Sequence, residues 1–268
     1  MATRESITKS RVRPGWVVSA AAAVLLAVAC QTVPVTGRSQ LVLIPEGSEI
    51  QMGHQAYVEV LRKSRVSTDP VLNAQVTRVG TRIAAATGRS DYRWEFKVIE
   101  DKQANAFRLP GGKVAVYTGI LPITRDDPGL AAVLGHEVAH AIARHGGERM
   151  SQALVVQTGL AATQVAMANR DPRTVQQVTA LLGAGATVGL LLPWGRAQES
   201  EADHLGLIYM AKAGYDPHAA RDLWLRMAEA SRGRQQPPEF LSTHPSHETR
   251  IRQIEAWLPE ALQYYRPQ

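Results

Sequence analysis

Cysteine is almost absent from this 268-residue chain, where Cys30 stands alone. That excludes an internal disulfide framework and any cysteine-rich zinc ribbon. No self-similarity at a spacing of 20–50 residues is visible, which argues against solenoids and arrays. Beyond the first 29 residues there is no low-complexity tract. The net charge of +6 and the pI near 9.7 bring no basic stripe with interleaved aromatics, so nucleic acid is not an expected partner. What is present is 45% hydrophobic and 20% charged residue. That is enough for a buried core in roughly one or two domains, and it excludes a disordered or collagen-like chain.

The first 29 residues have the layout of an export signal. Arg4, Lys9, Arg11 and Arg13 form a basic head, and an apolar run follows over 16–29. About 14 residues is short for a bilayer span, which needs roughly 20. The run ends Ala27, Val28, Ala29 and then Cys30. This resembles the lipobox of bacterial lipoproteins, although a large aliphatic residue is usual where Ala27 stands. Lipidation at Cys30 is the preferred reading over ordinary secretion or an uncleaved anchor, since a lone free thiol is otherwise a liability in an oxidising compartment. With Thr32 rather than Asp at the second position after the cysteine, resemblance to the lipoprotein sorting rule implies the outer membrane. The segment 1–29 carries half of the net charge, +3 of the +6. The division expected is thus a signal peptide over 1–29, a lipidated tether or packed extended segment over 30–45, and a folded domain over 46–268.

Apolar spacing predicts helices over 48–64 and 70–86. Trp94, Phe96 and Val98 alternate with polar neighbours, predicting a strand over 93–99. Two more strands, 104–108 and 113–118, flank a Pro110-Gly111-Gly112 turn. From Asp127 onward the pattern is helical, over 127–144, 147–168, 172–192, 197–213, 217–231 and 246–257. The expected class is α+β: mostly helical, with a small antiparallel sheet beside one helix. The twelve residues 181–192 are nearly all apolar. They are too few to span a bilayer unaided and fit a buried or cleft-covering helix better than a membrane contact.

The chemistry concentrates at two motifs. His136, Glu137, Val138, Ala139 and His140 spell H-E-x-x-H within an apolar helical pattern. Residues i and i+4 share one helix face, so both imidazoles can reach one Zn²⁺. Glu137 lies about 100° around, placed to act on water as a general base. A catalytic zinc site wants a third protein ligand. The acidic stretch at 199–203 supplies candidates in Glu199, Glu201 and Asp203; Glu199 and Asp203, four apart, share a face and Glu201 points away. Spacing leaves these open, with Glu201 read as a solvated acid at a helix start.

HEVAH followed about 60 residues later by GRAQESEAD resembles the HtpX-like and CAAX-prenyl-protease-like zinc metallopeptidases. Asn105-Ala106-Phe107, the Pro-Gly-Gly turn, Ala143-Arg144-His145 and Ser242-Thr243-His244-Pro245 fall in the family's order, so the resemblance covers roughly 32–257. It implies one Zn²⁺ per chain held by His136, His140 and Glu199, with Asp203 behind the ligands and Glu137 catalytic. It places His244 near the metal, either as a donor to the transition state or as a fourth ligand that closes the site. It is similar to the periplasmic lipoprotein branch typified by BepA and LoiP, but without room for BepA's C-terminal repeat array or the long transmembrane helices of HtpX. Asn105, beside a strand that could accept an extended substrate, is a candidate substrate contact. His54, His145, His204, His218 and His247 are read as surface or structural residues. The function expected is a zinc endopeptidase of the bacterial cell envelope acting on misfolded or mislocalised proteins and peptides, membrane-attached through its N-terminal lipid. The alternative is an assembly or chaperone-like lipoprotein with a closed or structural zinc site. The oligomeric state is open.

Overall fold

The computed structural model describes residues 30–231 and 247–267. The segment 1–29 and His244 therefore lie outside the described residues. Two short strands open the chain, β1 (Cys30–Thr32) and β2 (Ser39–Leu41), paired antiparallel. They form a strap against the body, with Val33, Gln40 and Val42 buried.

Helix α1 (Glu46–Lys63) has Glu46 and Glu49 in its first turn and Arg62 and Lys63 in its last, each sign matched to the helix dipole. Helix α2 (Pro70–Ala86) begins at Asp69, whose carboxylate accepts from the N–H groups of Val71 and Leu72, with Pro70 at the first helical position. Its stripe of Val76, Val79 and Ile83 is fully buried.

The sheet has the order β3 (Glu95–Ile99), β5 (Lys113–Tyr117), β4 (Ala106–Leu109). β4 and β5 are the expected antiparallel hairpin, turning at Gly111 and Gly112 with φ of +81° and +87°, which glycine adopts without a Cβ penalty. β3 instead runs parallel to β5, so the sheet is mixed rather than wholly antiparallel. The long connection through 100–105 carries the chain back across to β4, leaving β4 at an edge.

A short helix α3 (Leu121–Thr124) leads into α4 (Asp127–Ile142), capped by Asp126 accepting from Gly129 N–H. Every residue of α4 from Gly129 onward is buried, so this helix is the axis of the domain. It ends earlier than its pattern predicts. Arg144 takes a left-handed conformation, φ 55°, and a new helix α5 (His145–Ala166) starts there in another direction. Arg144 holds that turn: Nε and Nη2 donate to Glu49 at 2.9 and 2.8 Å, Nη1 to Gln31 Oε1 at 2.7 Å, and Nη2 also to Ile44 O at 3.0 Å.

Helix α6 (Pro172–Ala186) runs through a π-helical turn at Thr187–Leu191 into α7 (Leu192–Lys212), giving one continuous helix of 41 residues, Pro172–Lys212. The expectation of a buried helix at 181–192 fails: no residue of that stretch is buried. Nor does the chain lack a helix long and apolar enough to cross a membrane, since this one is both. Helix α9 (His247–Tyr264) packs on α7, and α8 (His218–Ser231) packs on α4 and α9; together they complete the core with Leu223, Trp224, Met227, Ile254 and Leu258.

Candidate metal centre

The site is built where α4 crosses α7. A Cβ on Gly135 would lie 2.8 Å from the carbonyl oxygen of Gly206, and a Cβ on Gly206 would lie 2.8 Å from the carbonyl carbon of Gly135. Only paired glycines allow the backbones to approach so closely, and the approach brings His136 and His140 of α4 beside Glu199 of α7. The two Nε2 atoms are 3.0 Å apart. Glu199 Oε2 is 3.4 Å from His136 Nε2, and Oε1 is 3.3 Å from His140 Nε2. Among the described residues these three form a buried group whose ligand atoms all lie within 4.8 Å of one another.

The remaining ring nitrogens are already engaged, which fixes which nitrogen faces the group. His136 Nδ1 donates to Asp203 Oδ1 at 2.9 Å. His140 Nδ1 lies 2.7 Å from His145 Nδ1, and His145 Nε2 donates to Glu201 Oε2 at 2.9 Å. Two imidazole nitrogens and a carboxylate, all pointing inward from rigid helices, match the donor set of a zinc site. Without a metal, burial works against a charged His136, but Asp203 and Glu199 outweigh it and hold this imidazole up at about 9. Burial, with Arg108 and His136 adding to it, pushes His140 well below the usual histidine range.

Three residues around it complete its surroundings. Glu201, expected to be a solvated acid, is 7% exposed. Burial alone would raise its pKa; donation from His145, Arg38 and Thr36 overrides that and sets it at about 2. Arg38 Nε donates to Glu201 at 2.9 Å while its two terminal nitrogens grip Glu148 at 2.8 Å each, so the N-terminal strap is bolted to the back of the site. His145, expected to be a surface or structural residue, is structural: it is fully buried as the link from His140 to Glu201. The left-handed turn at Arg144 ends α4 and sets His145 behind His140.

Arg250 is the third. It is 2% exposed, donates to Asp203 Oδ2 at 2.6 Å through Nε and to Oδ1 through Nη2, and reaches Glu199 Oε2 at 3.4 Å. Its guanidinium also stacks 3.7 Å from the centre of the Trp224 ring. Burial would raise Asp203, but Arg250 and His136 hold it below the usual carboxylate range. A signal was present: 250, 254, 258 and 261 form the buried stripe of α9, and an arginine on an apolar stripe needs carboxylates inside.

Glu137 is wholly buried beside the group, with Oε2 4.0 Å from Arg108 Nε. Arg108 projects from β4 and lines a cavity of about 330 Å³ with Met52, Leu109, His140, Ala141 and Met150. Asn105 sits where β4 begins, its Oδ1 accepting from Ala106 N–H at 2.9 Å. Two further histidines pair elsewhere: His204 with Glu260 and His218 with Asp216.

Residues 70–258 match Peptidase family M48. The chain belongs to that family. It is a metallopeptidase domain, and M48 enzymes are zinc-dependent. It is 42% identical over 234 residues to the mitochondrial metalloendopeptidase OMA1 of Schizosaccharomyces pombe, covering 85% of this chain and 66% of that protein. It is 32% identical over 201 residues to a putative beta-barrel assembly-enhancing protease of Vibrio cholerae, covering 73% and 41%. The Escherichia coli beta-barrel assembly-enhancing protease is 29% identical over 228 residues, covering 82% and 46%. The chain thus spans between about two fifths and two thirds of the length of these relatives.

Proposed function

We propose that this M48 chain is a zinc-dependent endopeptidase in which His136, His140 and Glu199 hold the metal and Glu137 is the general base. The convergence of two Nε2 atoms and a carboxylate, each fixed from behind, carries the reading. When bound, zinc supplies Lewis acidity, polarising the scissile carbonyl and making water acidic enough to attack near neutral pH. Glu137 takes the proton of the attacking water and passes it to the leaving amine. Asp203 keeps His136 in the tautomer that presents Nε2, and His145 with Glu201 does the same for His140. Arg108 has a buried Nη2 without a hydrogen-bond partner among the described residues, and so is placed to meet substrate next to Glu137. β4 lies at the edge of the sheet, a position that suits an extended peptide added as a further strand, with Asn105 at its entrance.

In this reading residues 1–29 are an export signal, Cys30 is lipidated, and the enzyme works on misfolded or mislocalised proteins on the periplasmic face of the outer membrane. The cysteine placement supports the envelope assignment, as do the two bacterial relatives named for barrel assembly. Other relatives are named as mitochondrial. His244 either donates to the transition state or closes the site as a fourth ligand. His244→Ala would lower casein cleavage in the first case and raise it in the second. The test of the whole is Glu137→Gln: zinc content is expected to stay at one per chain while casein cleavage falls by at least about a hundredfold. Zinc retained with cleavage unchanged would sink the proposal.

A further inference from the structure

The hairpin between the two halves of the metal set is the least explained part of the molecule. From 153 to 197 no residue is buried, so α5, α6 and the first turns of α7 project from the body as two antiparallel helices. Partly covered positions recur at 153, 156, 160, 163 and 167 on one helix and at 175, 178, 179, 183 and 186 on the other, the spacing of a single seam. Everything outside the seam faces outward, including Val165 at 77% exposure, Leu181 at 74% and Val188 at 67%.

Charge decides what kind of surroundings this suits. Asp, Glu, Lys and Arg are absent from 150–169 and again from 174–195. These are stretches of 20 and 22 residues, or about 30–33 Å of helix, the thickness of a bilayer's hydrocarbon core. Arg149 and Arg196 bound the two stretches at the body, and Arg170, Asp171 and Arg173 bound them at the turn. A helix that docks on another protein keeps a polar back. Here Leu181, Val188 and Leu192 lie on one side of α6 and α7 and Leu190 lies opposite, all exposed. Three of the threonines hide their hydroxyls: Thr163, Thr179 and Thr187 donate to the carbonyls of Gly159, Val175 and Gly183 at 2.8–2.9 Å. The exposed Trp194 stands at the body end, where an aromatic side chain would meet the headgroups.

We propose that the hairpin of residues 153–197 inserts into a phospholipid bilayer and seats the metallopeptidase body on the membrane surface, independently of any lipid at Cys30. The chain from residue 30 onward, with Cys30→Ser, lacks both the proposed export segment and any acyl chain. Mixed with vesicles of phosphatidylethanolamine and phosphatidylglycerol and spun through a density gradient, it is expected to float with them in high salt. Leu181→Glu, Val188→Glu and Leu190→Glu together should cut the floated fraction by at least about tenfold, with zinc content unchanged. Cys30→Ser leaves the chain without a thiol, so Leu182→Cys gives one spin-label site. The nitroxide should be reached by dissolved oxygen and shielded from aqueous nickel chelate, a readout that stands even if the triple variant loses zinc and so fails to fold. Flotation lost in high salt would overturn insertion, as would a nickel-accessible label. A stable dimer in buffer that ignores vesicles would overturn it too, and would assign the hairpin to a second copy of the chain.

Discussion

Removing Arg250 should reveal how much of this domain's stability depends on the metal. In Arg250→Leu the Trp224 ring keeps an apolar neighbour, but Asp203 loses two hydrogen bonds and Glu199 its nearby cation. Breaking a buried ion pair by deleting one partner costs about 3–5 kcal/mol, because the surviving charge stays desolvated. At roughly 2–4 °C per kcal/mol for a domain of this size, the metal-free protein should melt about 6–20 °C lower. With zinc in place the doubly charged ion would take over most of the compensation at Glu199, and Asp203 would still be tied to His136. The loss there should be less than half as large. Thermal melts of chelator-treated and zinc-loaded protein, wild type against Arg250→Leu, read both numbers. Arg252→Leu, two positions along and exposed, should stay within about 0.5 kcal/mol of wild type and serves as control. Equal losses in the two forms would refute the idea that Arg250 and the metal share one set of carboxylates. So would a metal-free loss of under about 2 °C.

Gly206→Ala pushes a methyl group into the backbone of Gly135 and so levers α7 away from α4. A stability loss of about 1–3 kcal/mol is expected, with a weaker zinc affinity in a chelator competition. Acid stability should report on Glu201. Its pKa falls from 4.5 unfolded to about 2 folded, so its contribution is complete above about pH 4.5 and drains away as the pH drops toward 2. Glu201→Gln should therefore be less stable than wild type at neutral pH and should show a flatter loss between those two values, measured by urea melts at stepped pH.

Much of the centre was readable because helical spacing is local. Residues four apart share a face whatever the rest of the chain does, which exposed His136 with His140 and Glu199 with Asp203. The strands near the Pro-Gly-Gly turn were readable for the same reason. The surroundings of the metal set were not, because they depend on contacts between residues far apart in sequence and on one backbone angle. Arg38 meets Glu148 and Glu201 from more than a hundred positions away, and nothing near Arg38 announces it. The link through His145 was not legible because a left-handed arginine cannot be seen in a periodic pattern. The apolar run at 181–192 was read as buried because periodicity reports a preference for nonpolar surroundings, not whether protein or another medium supplies them.

The glycine crossing has a consequence for how this chain can change over time. Gln198 donates to Glu148 at 2.7 Å and His145 to Glu201 at 2.9 Å, so the hairpin leaves and re-enters the body at adjacent points. Its ends are clamped whatever lies between them. Doubling the length of a closed loop costs only about 0.6 kcal/mol in chain entropy. An insertion or deletion in that interval would therefore be nearly neutral for assembling the metal set, while a single methyl group at Gly135 or Gly206 would not. Here the tolerance to change resides in dozens of residues and the intolerance in two hydrogen atoms.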